Sequence, residues 1–247
     1  MRDDQATGLR RLFRPADAPV VAVGGKDAAA IAVHLARALA ADGAQVLVVD
    51  RTVGEIATAA GIRTRYDLAH ALDGDRAPAD VLCDGPDGIV VLPAARAFGR
   101  FSHEHDWRAA IAASAACRGV FDAWIVHGTP PVGARGLVAL APTTEAITAA
   151  YAVLKDVARV ARGTSIGAIV HKAATPAAAR EVYASVSETA RRFLGIDLTY
   201  ASFLPEGPSA HPATLAWPRL RATSAGAAFI DLARRLIQGP ARVAAHP

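Results

Sequence analysis

The chain of 247 residues has little sulfur, few aromatic side chains and no long apolar run. Its two cysteines lack CxxC spacing, which gives no basis for a disulfide framework or a zinc site, so we expect reduced thiols in a cytoplasmic protein. No apolar run reaches the roughly 20 residues that a membrane-spanning helix needs. Residues 1–13 also lack the apolar segment of a signal peptide. We therefore expect any membrane association to be weak or indirect.

The chain also has only a small excess of positive over negative charge. The formal net charge is +4, and lysine occurs only at Lys26, Lys155 and Lys172, so arginine carries the excess. No stripe of arginines interleaved with aromatics is present, and we predict no direct nucleic-acid partner. What the chain has in quantity is apolar residues, 52% of the total. That amount is enough to bury one large α/β core.

The stretch from Val20 to Asp50 predicts a strand, a glycine turn, a helix and a second strand. Its strands are continuous apolar runs, which is typical of strands buried on both faces, and its helix repeats apolar residues at the helical period. Further strands, including a short one over Val81–Cys83, alternate with helices along the chain. The pattern predicts an α/β fold with a doubly wound, mostly parallel sheet of about seven strands over residues 18–240.

A short N-terminal arm, residues 1–17, precedes this domain. Ala6, Leu9 and Phe13 fall on one face of a helix, and Pro15 separates them from the first strand. A helix this short is marginal in water by itself, so we expect it to need a docking surface.

The turn after the first strand, Gly24-Gly25-Lys26-Asp27, is the natural place to look for a phosphate site. A P-loop needs several backbone N–H groups around the phosphates, a lysine, and a hydroxyl for magnesium. Here the turn is short and Lys26 is followed by Asp27 and Ala28. We expect the Asp27 carboxylate to cap the helix N-terminus and to repel a triphosphate.

Three other site chemistries can be considered. A Rossmann-type NAD(P) enzyme would use the turn Gly24–Ala28 with Asp50 on the ribose, although the GxGxxG pattern is not met. The segment Ser102–His105 contains two histidines, but it lacks the HExxH spacing, so we predict no metal site and a solvated helix entrance instead. No GxSxG sequence supports a hydrolase.

Several segments resemble the MinD/ParA-like family, and within it the branch of flagellar number regulators called FlhG or FleN. They are residues 65–97 (RYDLAHALDGDRAPADVLCDGPDGIVVLPAARA), 143–155 (TTEAITAAYAVLK) and 191–207 (RRFLGIDLTYASFLPEG). Residues 4–10, DQATGLR, match the DQAxxLR element at the N-terminus of that branch. The resemblance covers nearly the whole chain and implies a MinD-like P-loop fold.

The resemblance also implies a function, namely regulation of flagellar biosynthesis, number and placement. In the FlhG branch the N-terminal element binds the GTPase FlhF and stimulates its hydrolysis. Carried over to this chain, the partner-binding residues are Asp4, Gln5, Ala6, Leu9, Arg10 and Phe13. The family further implies a flagellar transcription regulator or a C-ring protein as partners, and recruitment to the cell pole or the inner face of the membrane.

The departures from the family all concern its nucleotide site. Both P-loop lysines lack clear equivalents, Thr52 stands for the second aspartate of the family's switch, His127 for the magnesium-side aspartate and His171 for the adenine-reading asparagine. The vestigial nucleotide site comprises Gly24, Gly25, Lys26, Asp27, Asp50, Thr52, His127 and His171. We predict that ATP hydrolysis is lost and that no cofactor is required, because positioning and charge neutralisation supply most phosphoryl-transfer catalysis. The alternative is a functional ATPase that binds ATP and magnesium through Lys26 and Asp50 and cycles between dimer and monomer.

Overall fold

The structure is a computed structural model, and it describes residues 18–101, 104–161, 163–205 and 217–238, without the side chains of 104, 105 and 238. The predicted arm, residues 1–17, lies outside the described residues. So do Ser102 and His103 of the histidine segment considered above.

The first half of the described chain alternates strands and helices from its first residues onward. In chain order the elements are β1 (Val20–Gly25), α1 (Ala28–Ala41), β2 (Val46–Asp50), α2 (Glu55–Ala60), α3 (Leu68–Leu72), α4 (Pro78–Val81), β3 (Cys83–Asp84), β4 (Val90–Pro93), α5 (Ala95–Phe98), α6 (Glu104–Ala115) and β5 (Ala123–His127). Short 3-10 turns, Pro86–Gly88 and Ala116–Arg118, lie before β4 and after α6.

The second half continues the same alternation. Its elements are β6 (Arg135–Leu140), α7 (Thr144–Val160), β7 (Ile166–His171), α8 (Pro176–Leu194), β8 (Leu198–Leu204), α9 (Trp217–Arg221) and α10 (Ser224–Gln238). Helix α8 begins where the Thr175 hydroxyl accepts a hydrogen bond from the Ala178 N–H (3.1 Å). It ends at Gly195, whose φ of 66° suits a residue without a side chain.

The eight strands that the structure describes form one sheet in the order β3-β4-β2-β5-β1-β6-β7-β8. Every neighbouring pair is parallel except β3 and β4. The predicted doubly wound, mostly parallel sheet is therefore confirmed. Because the strands are parallel, the loops after β1, β2, β5 and β7 meet at one edge of the sheet, and this edge holds the candidate site.

Helices cover both faces of the sheet. On one face α1, α2, α9 and α10 enclose a core with residues such as Val23 and Ile125. On the other face α3 and α6 cover one half of the sheet, and α7 and α8 cover the other. Side chains alternate between the faces, so Leu47 and Val48 of β2 lie in different clusters. This double burial explains why the strands are continuous apolar runs.

The predicted strand over Val81–Cys83 is wrong in its position. Pro78 begins the short helix α4, whose first turn is closed by a hydrogen bond from the Ala77 N–H to the Asp80 carboxylate (3.3 Å). Proline is favourable at a first helical position. A run of three apolar residues is too short to specify a strand against this local preference. The strand starts only at Cys83 and pairs antiparallel with β4.

The closing helix α10 is amphipathic, as predicted. Phe229, Leu232 and Leu236 are buried in the core against α1. Within the described ranges, no helix combines the length and the apolar character that crossing a membrane requires.

Gly226 lets α10 pack against α9, and replacing it with alanine is expected to destabilise the domain. A Cβ at this position would lie 2.1 Å from the Leu220 carbonyl oxygen and 2.7 Å from the Arg221 Cα. Backbone atoms cannot rotate away, so we expect a loss of about 1–3 kcal/mol, although alanine favours helix by about 1 kcal/mol. Chemical denaturation measures the change in the free energy of unfolding.

The matched control for that substitution is Gly99→Ala. Its Cβ would meet nothing closer than the Arg96 carbonyl oxygen at 3.7 Å, so we expect a change within about 0.5 kcal/mol. A Gly226→Ala protein that is as stable as Gly99→Ala would contradict the packing argument.

Candidate functional site

The vestigial nucleotide site predicted from the sequence lies at the carboxyl edge of the sheet. Gly24 and Gly25 end β1, Asp50 ends β2 and His127 ends β5, while His171 ends β7. Asp50 and His127 are direct partners in the register of β2 and β5. The structure groups the predicted residues into two clusters, one around Asp50 and one around the turn after β1.

In the first cluster, the carboxylate of Asp50 is held from several sides. Its Oδ1 accepts hydrogen bonds from the backbone N–H (2.9 Å) and the hydroxyl (2.7 Å) of Thr52. Its Oδ2 accepts from the Ile56 N–H at the start of α2 (3.1 Å), and the Nδ1 of His127 lies 3.2 Å from Oδ1. Asp50 thus joins the ends of β2 and β5 to α2.

These contacts control the ionisation of Asp50. Burial alone would raise the pKa of its carboxyl, but hydrogen bonds from His127 and Thr52 outweigh burial and hold the pKa below its ordinary value. The carboxylate is therefore charged at neutral pH while its side chain is almost fully buried.

His127 links Asp50 to a second acid. Its Nδ1 is close to Asp50 Oδ1 and to the Thr52 hydroxyl oxygen (both 3.2 Å), and its Nε2 lies 3.6 Å from Oε2 of Glu55. Because the Thr52 hydroxyl donates to Asp50, the geometry assigns a proton to Nδ1, which donates to the same carboxylate. The imidazole is thereby fixed in orientation with Nε2 towards Glu55.

The second cluster lies at the two residues between β1 and α1. The Nζ of Lys26 forms an ion pair with Oε1 of Glu145 in α7 (2.7 Å). Asp27 pairs through Oδ2 with the Nζ of Lys172, the residue that follows β7 (2.6 Å). These pairs connect the turn to two other elements at the same edge.

The expected capping of α1 by Asp27 is wrong. Asp27 occupies the N-cap position, but with φ 61° its side chain makes no capping hydrogen bond. Its carboxylate points instead to Lys172, which itself has a positive φ of 54°. Non-glycine residues adopt this conformation at a cost of order 1 kcal/mol or more, so both partners of one ion pair are held in strained backbone.

His171 is buried behind this turn. Only 7% of the residue is exposed, and no hydrogen-bond partner for its Nε2 lies within the described part of the chain. Burial lowers the pKa of His171, against the opposing effect of the Asp27 charge. The imidazole is therefore neutral at neutral pH.

The two glycines of the turn are explained by packing. A Cβ on Gly25, which has φ 107°, would lie 2.9 Å from the Ala139 carbonyl oxygen of β6. A Cβ on Gly24 would lie 3.1 Å from the Gly128 carbonyl oxygen and from the Val153 side chain of α7. Close approach of neighbouring backbone thus requires these glycines, whether or not a ligand is bound.

A cavity of about 280 Å³ opens beside the first cluster. It is lined by Gly25, Arg51, Thr52, Glu55, His127, Gly128, Thr129 and Val153. Sequence reasoning missed Arg51 and Glu55 here, as well as Glu145 and Lys172 in the second cluster. The signal that could have found Arg51 and Lys172 is that each immediately follows the carboxyl end of a parallel strand.

Comparison with known proteins identifies matches that cover most of the chain. No family model matches it. Among curated proteins it is similar to the antiactivator FleN of Pseudomonas aeruginosa, with 26% identity over 223 residues that cover 82% of this chain and 80% of FleN.

Solved structures show the same fold at lower sequence identity. MinD of Aquifex aeolicus, in its complex with MinC, superimposes with a TM-score of 0.63 at 19% identity and covers 91% of this chain and 98% of that one. A variant of McdA from Cyanothece, in complex with ATP, gives a TM-score of 0.59 at 12% identity over 89% and 96% of the two chains. These structures confirm the predicted MinD-like α/β fold, and the similarity to FleN confirms the resemblance to the FlhG branch that the sequence segments indicated.

Proposed function

We propose that this protein is a flagellar regulator that acts by binding its partners, that its body has lost nucleotide hydrolysis, and that residues 1–17 stimulate a FlhF-like GTPase. The similarity to FleN over most of both chains supports the flagellar role. The match of residues 4–10 to DQAxxLR supports the GTPase partner.

The observation that carries the proposal is that the turn after β1 is short and that its two charged side chains form ion pairs with other residues of the same chain. Only Lys26 and Asp27 separate the end of β1 from the start of α1, whereas a phosphate cradle needs a longer run of backbone N–H groups. The ammonium of Lys26 is paired with Glu145. The Asp27 carboxylate, paired with Lys172, adds negative charge at the helix N-terminus, where phosphate would have to bind.

The metal side of the site is equally unsuited to a magnesium triphosphate. Magnesium prefers oxygen ligands, but the β5 strand ends in the imidazole of His127. Both oxygens of Asp50 already accept hydrogen bonds from the protein, from Thr52 and His127 on one and from Ile56 on the other. These residues do not fit magnesium-bound ATP, and the same engagement of Asp50 leaves no acid for the ribose of NAD(P).

The partners follow from the same relatives. FleN is described as an antiactivator, which supports contact of this protein with a flagellar transcription regulator. Because MinD is seen in complex with a protein partner, a body that serves as a docking scaffold is consistent with the fold.

Calorimetric titration with ATP and magnesium tests the loss of nucleotide binding. We expect no saturable heat up to about millimolar ATP, a limit that corresponds to roughly 4 kcal/mol of binding free energy. A MinD-type ATPase titrated under the same conditions provides the positive control. Saturable binding together with phosphate release would establish the alternative, a functional ATPase.

A further inference from the structure

Helices α9 and α10 close the face of the sheet that α1 covers, and two basic side chains of α1 lie at this contact. His34 and Arg37 are one turn apart, so they lie on the same side of the helix. The centre of the His34 ring is 5.2 Å from that of Phe229 in α10, and the Cζ of Arg37 is 5.8 Å from the centre of the Trp217 ring in α9. Helix α1 thus contacts each closing helix through a basic side chain.

Arg37 brings a permanent positive charge into this contact. Its side chain is only 2% exposed and forms an ion pair with Asp87, which connects α1 to the 3-10 turn Pro86–Gly88. The Nε1–H of Trp217 is buried at the same contact and has no hydrogen-bond partner in the described chain. The contact is therefore already short of acceptors while the imidazole of His34 is neutral.

His34 has no place for a second proton. Its Nδ1 is buried, and the described part of the chain offers this atom no hydrogen-bond partner. An imidazolium carries protons on both ring nitrogens, so protonation places an N–H on the buried Nδ1 and a second positive charge near Arg37. Burial, together with the charge of Arg37, lowers the pKa of His34 to about 4. His34 is therefore neutral at neutral pH.

From this arrangement we propose that protonation of His34 releases α9 and α10 from α1, which makes the closing helices sensitive to acid. In the open form the imidazole lies in water, where histidine has an ordinary pKa of about 6.5. The open form therefore binds a proton more readily than the closed form. Because the closed form has the lower pKa, the contribution of His34 to closure is complete above about pH 6.5 and is lost as the pH falls towards 4.

The other charged groups that the structure describes at this contact keep their charges in that range. Besides Arg37 and Asp87, they are the ion pairs of Arg234 with Asp42 (2.9 Å) and of Arg235 with Asp231 (2.7 Å), and the exposed Arg219 and Arg221 of α9. Carboxylic acids ordinarily titrate near pH 4 and arginines above about pH 12. Among these groups, His34 is therefore the one whose charge on opening changes between about pH 7.5 and pH 5.

Hydrogen–deuterium exchange of the full chain, followed by mass spectrometry at about pH 7.5 and pH 5, measures opening helix by helix. Dividing each observed rate by the intrinsic chemical rate at the same pH gives the opening constant. With pKa values of about 6.5 in the open form and 4 in the closed form, the opening constant of α10 should be about 30-fold larger at the lower pH. Helix α8, which covers the opposite face of the sheet, should not follow this change.

Substitutions of His34 test whether this side chain is the cause. His34→Gln and His34→Leu do not titrate, so both should abolish the difference in the opening constant of α10 between the two pH values. His70→Gln is the matched control, because His70 lies in α3 on the opposite face of the sheet, and it should keep the full difference. Thermal unfolding at about pH 7.5 establishes that each variant is folded, and either His34 variant carries the test if the other is not.

Three outcomes would overturn the inference. The first is an opening constant of α10 that does not change with pH in the unsubstituted protein, and the second is an equal change in α8, which would indicate unfolding of the whole domain. The third is an undiminished pH difference in folded His34 variants. None of these measurements involves ATP or a partner GTPase, so the failure of this inference and that of the proposed function are distinguishable.

Discussion

Removing residues 1–14 is expected to abolish stimulation of a FlhF-like GTPase while leaving the body folded. On the proposed function the arm supplies the groups that act on the partner, and Gln5 is the one that enters the partner's active site. An amide there can orient the attacking water, as glutamines do in other GTPases. Multiple-turnover GTP hydrolysis by the partner, measured with and without this protein, gives the stimulation directly.

Single substitutions separate chemistry from binding in the arm. Gln5→Ala should remove the stimulated rate even at saturating concentrations of the regulator, because we propose that this amide orients the attacking water. Leu9→Ala should instead raise the concentration that gives half-maximal stimulation, because we propose that Leu9 and Phe13 form an apolar anchor. Arg10→Ala should also weaken binding, since the proposed charged contact to the partner is removed.

The body provides the control for these experiments. Thermal unfolding of the 1–14 deletion should match that of the full chain, because the strands and helices from β1 onward enclose a hydrophobic core among themselves. Equal stimulation by the deletion variant would exclude the arm as the activating element. Equal maximal stimulation by Gln5→Ala would exclude its role in orienting water.

The architecture was predictable because its determinants are local. Continuous apolar runs such as Val20–Val23 and Ile166–Val170 can be satisfied only by strands buried on both faces. The alternation with amphipathic helices then allows few topologies, since crossovers between parallel strands are right-handed. The short strand β3 was misplaced because its few apolar residues carry no periodicity, and Pro78 decided the local structure.

The ends of the strands could be predicted, but the partners of their side chains could not. Asp50 was found because it ends a predicted strand, and His127 because the family resemblance placed it at the end of another; their adjacency came only from the structure. Lys26 and Glu145 are separated by 119 residues in sequence, and Asp27 and Lys172 by 145. Local capping rules favoured the backbone N–H groups as partners of Asp27. The fold supplied a lysine at 2.6 Å instead, and a direct ion pair outweighed the cap.

Asp50, which the sequence predicts to be part of a vestigial nucleotide site, has a structural role in the fold. Its carboxylate accepts from two groups of Thr52, from the buried N–H of Ile56 and from His127. Hydrogen bonds to a charged group contribute about 1.5–3 kcal/mol each, and donors left without a partner add a penalty. Several of these bonds are lost together in Asp50→Ala, although such losses are not additive.

We therefore expect Asp50→Ala to lower the free energy of unfolding at pH 7 by about 3–4 kcal/mol. Asp50→Asn keeps one acceptor oxygen but turns an amide donor towards other donors. Its free energy of unfolding should therefore lie between those of the unsubstituted protein and Asp50→Ala. Asp75→Ala, at an exposed position, is the matched control and should change stability by less than about 0.5 kcal/mol. Urea denaturation followed by circular dichroism measures all three.

The stability difference between the unsubstituted protein and Asp50→Ala should depend on pH in a way that identifies the Asp50 carboxylate as its cause. Because the pKa of Asp50 is lower in the folded than in the unfolded chain, its ionisation stabilises the fold fully above the unfolded-state pKa and ceases to do so as the pH falls through the folded-state pKa. The difference in the free energy of unfolding between the unsubstituted protein and Asp50→Ala should therefore be constant near neutral pH. It should become smaller below about pH 4. An Asp50→Ala protein that is as stable as the unsubstituted one at pH 7 would contradict the structural role of this carboxylate.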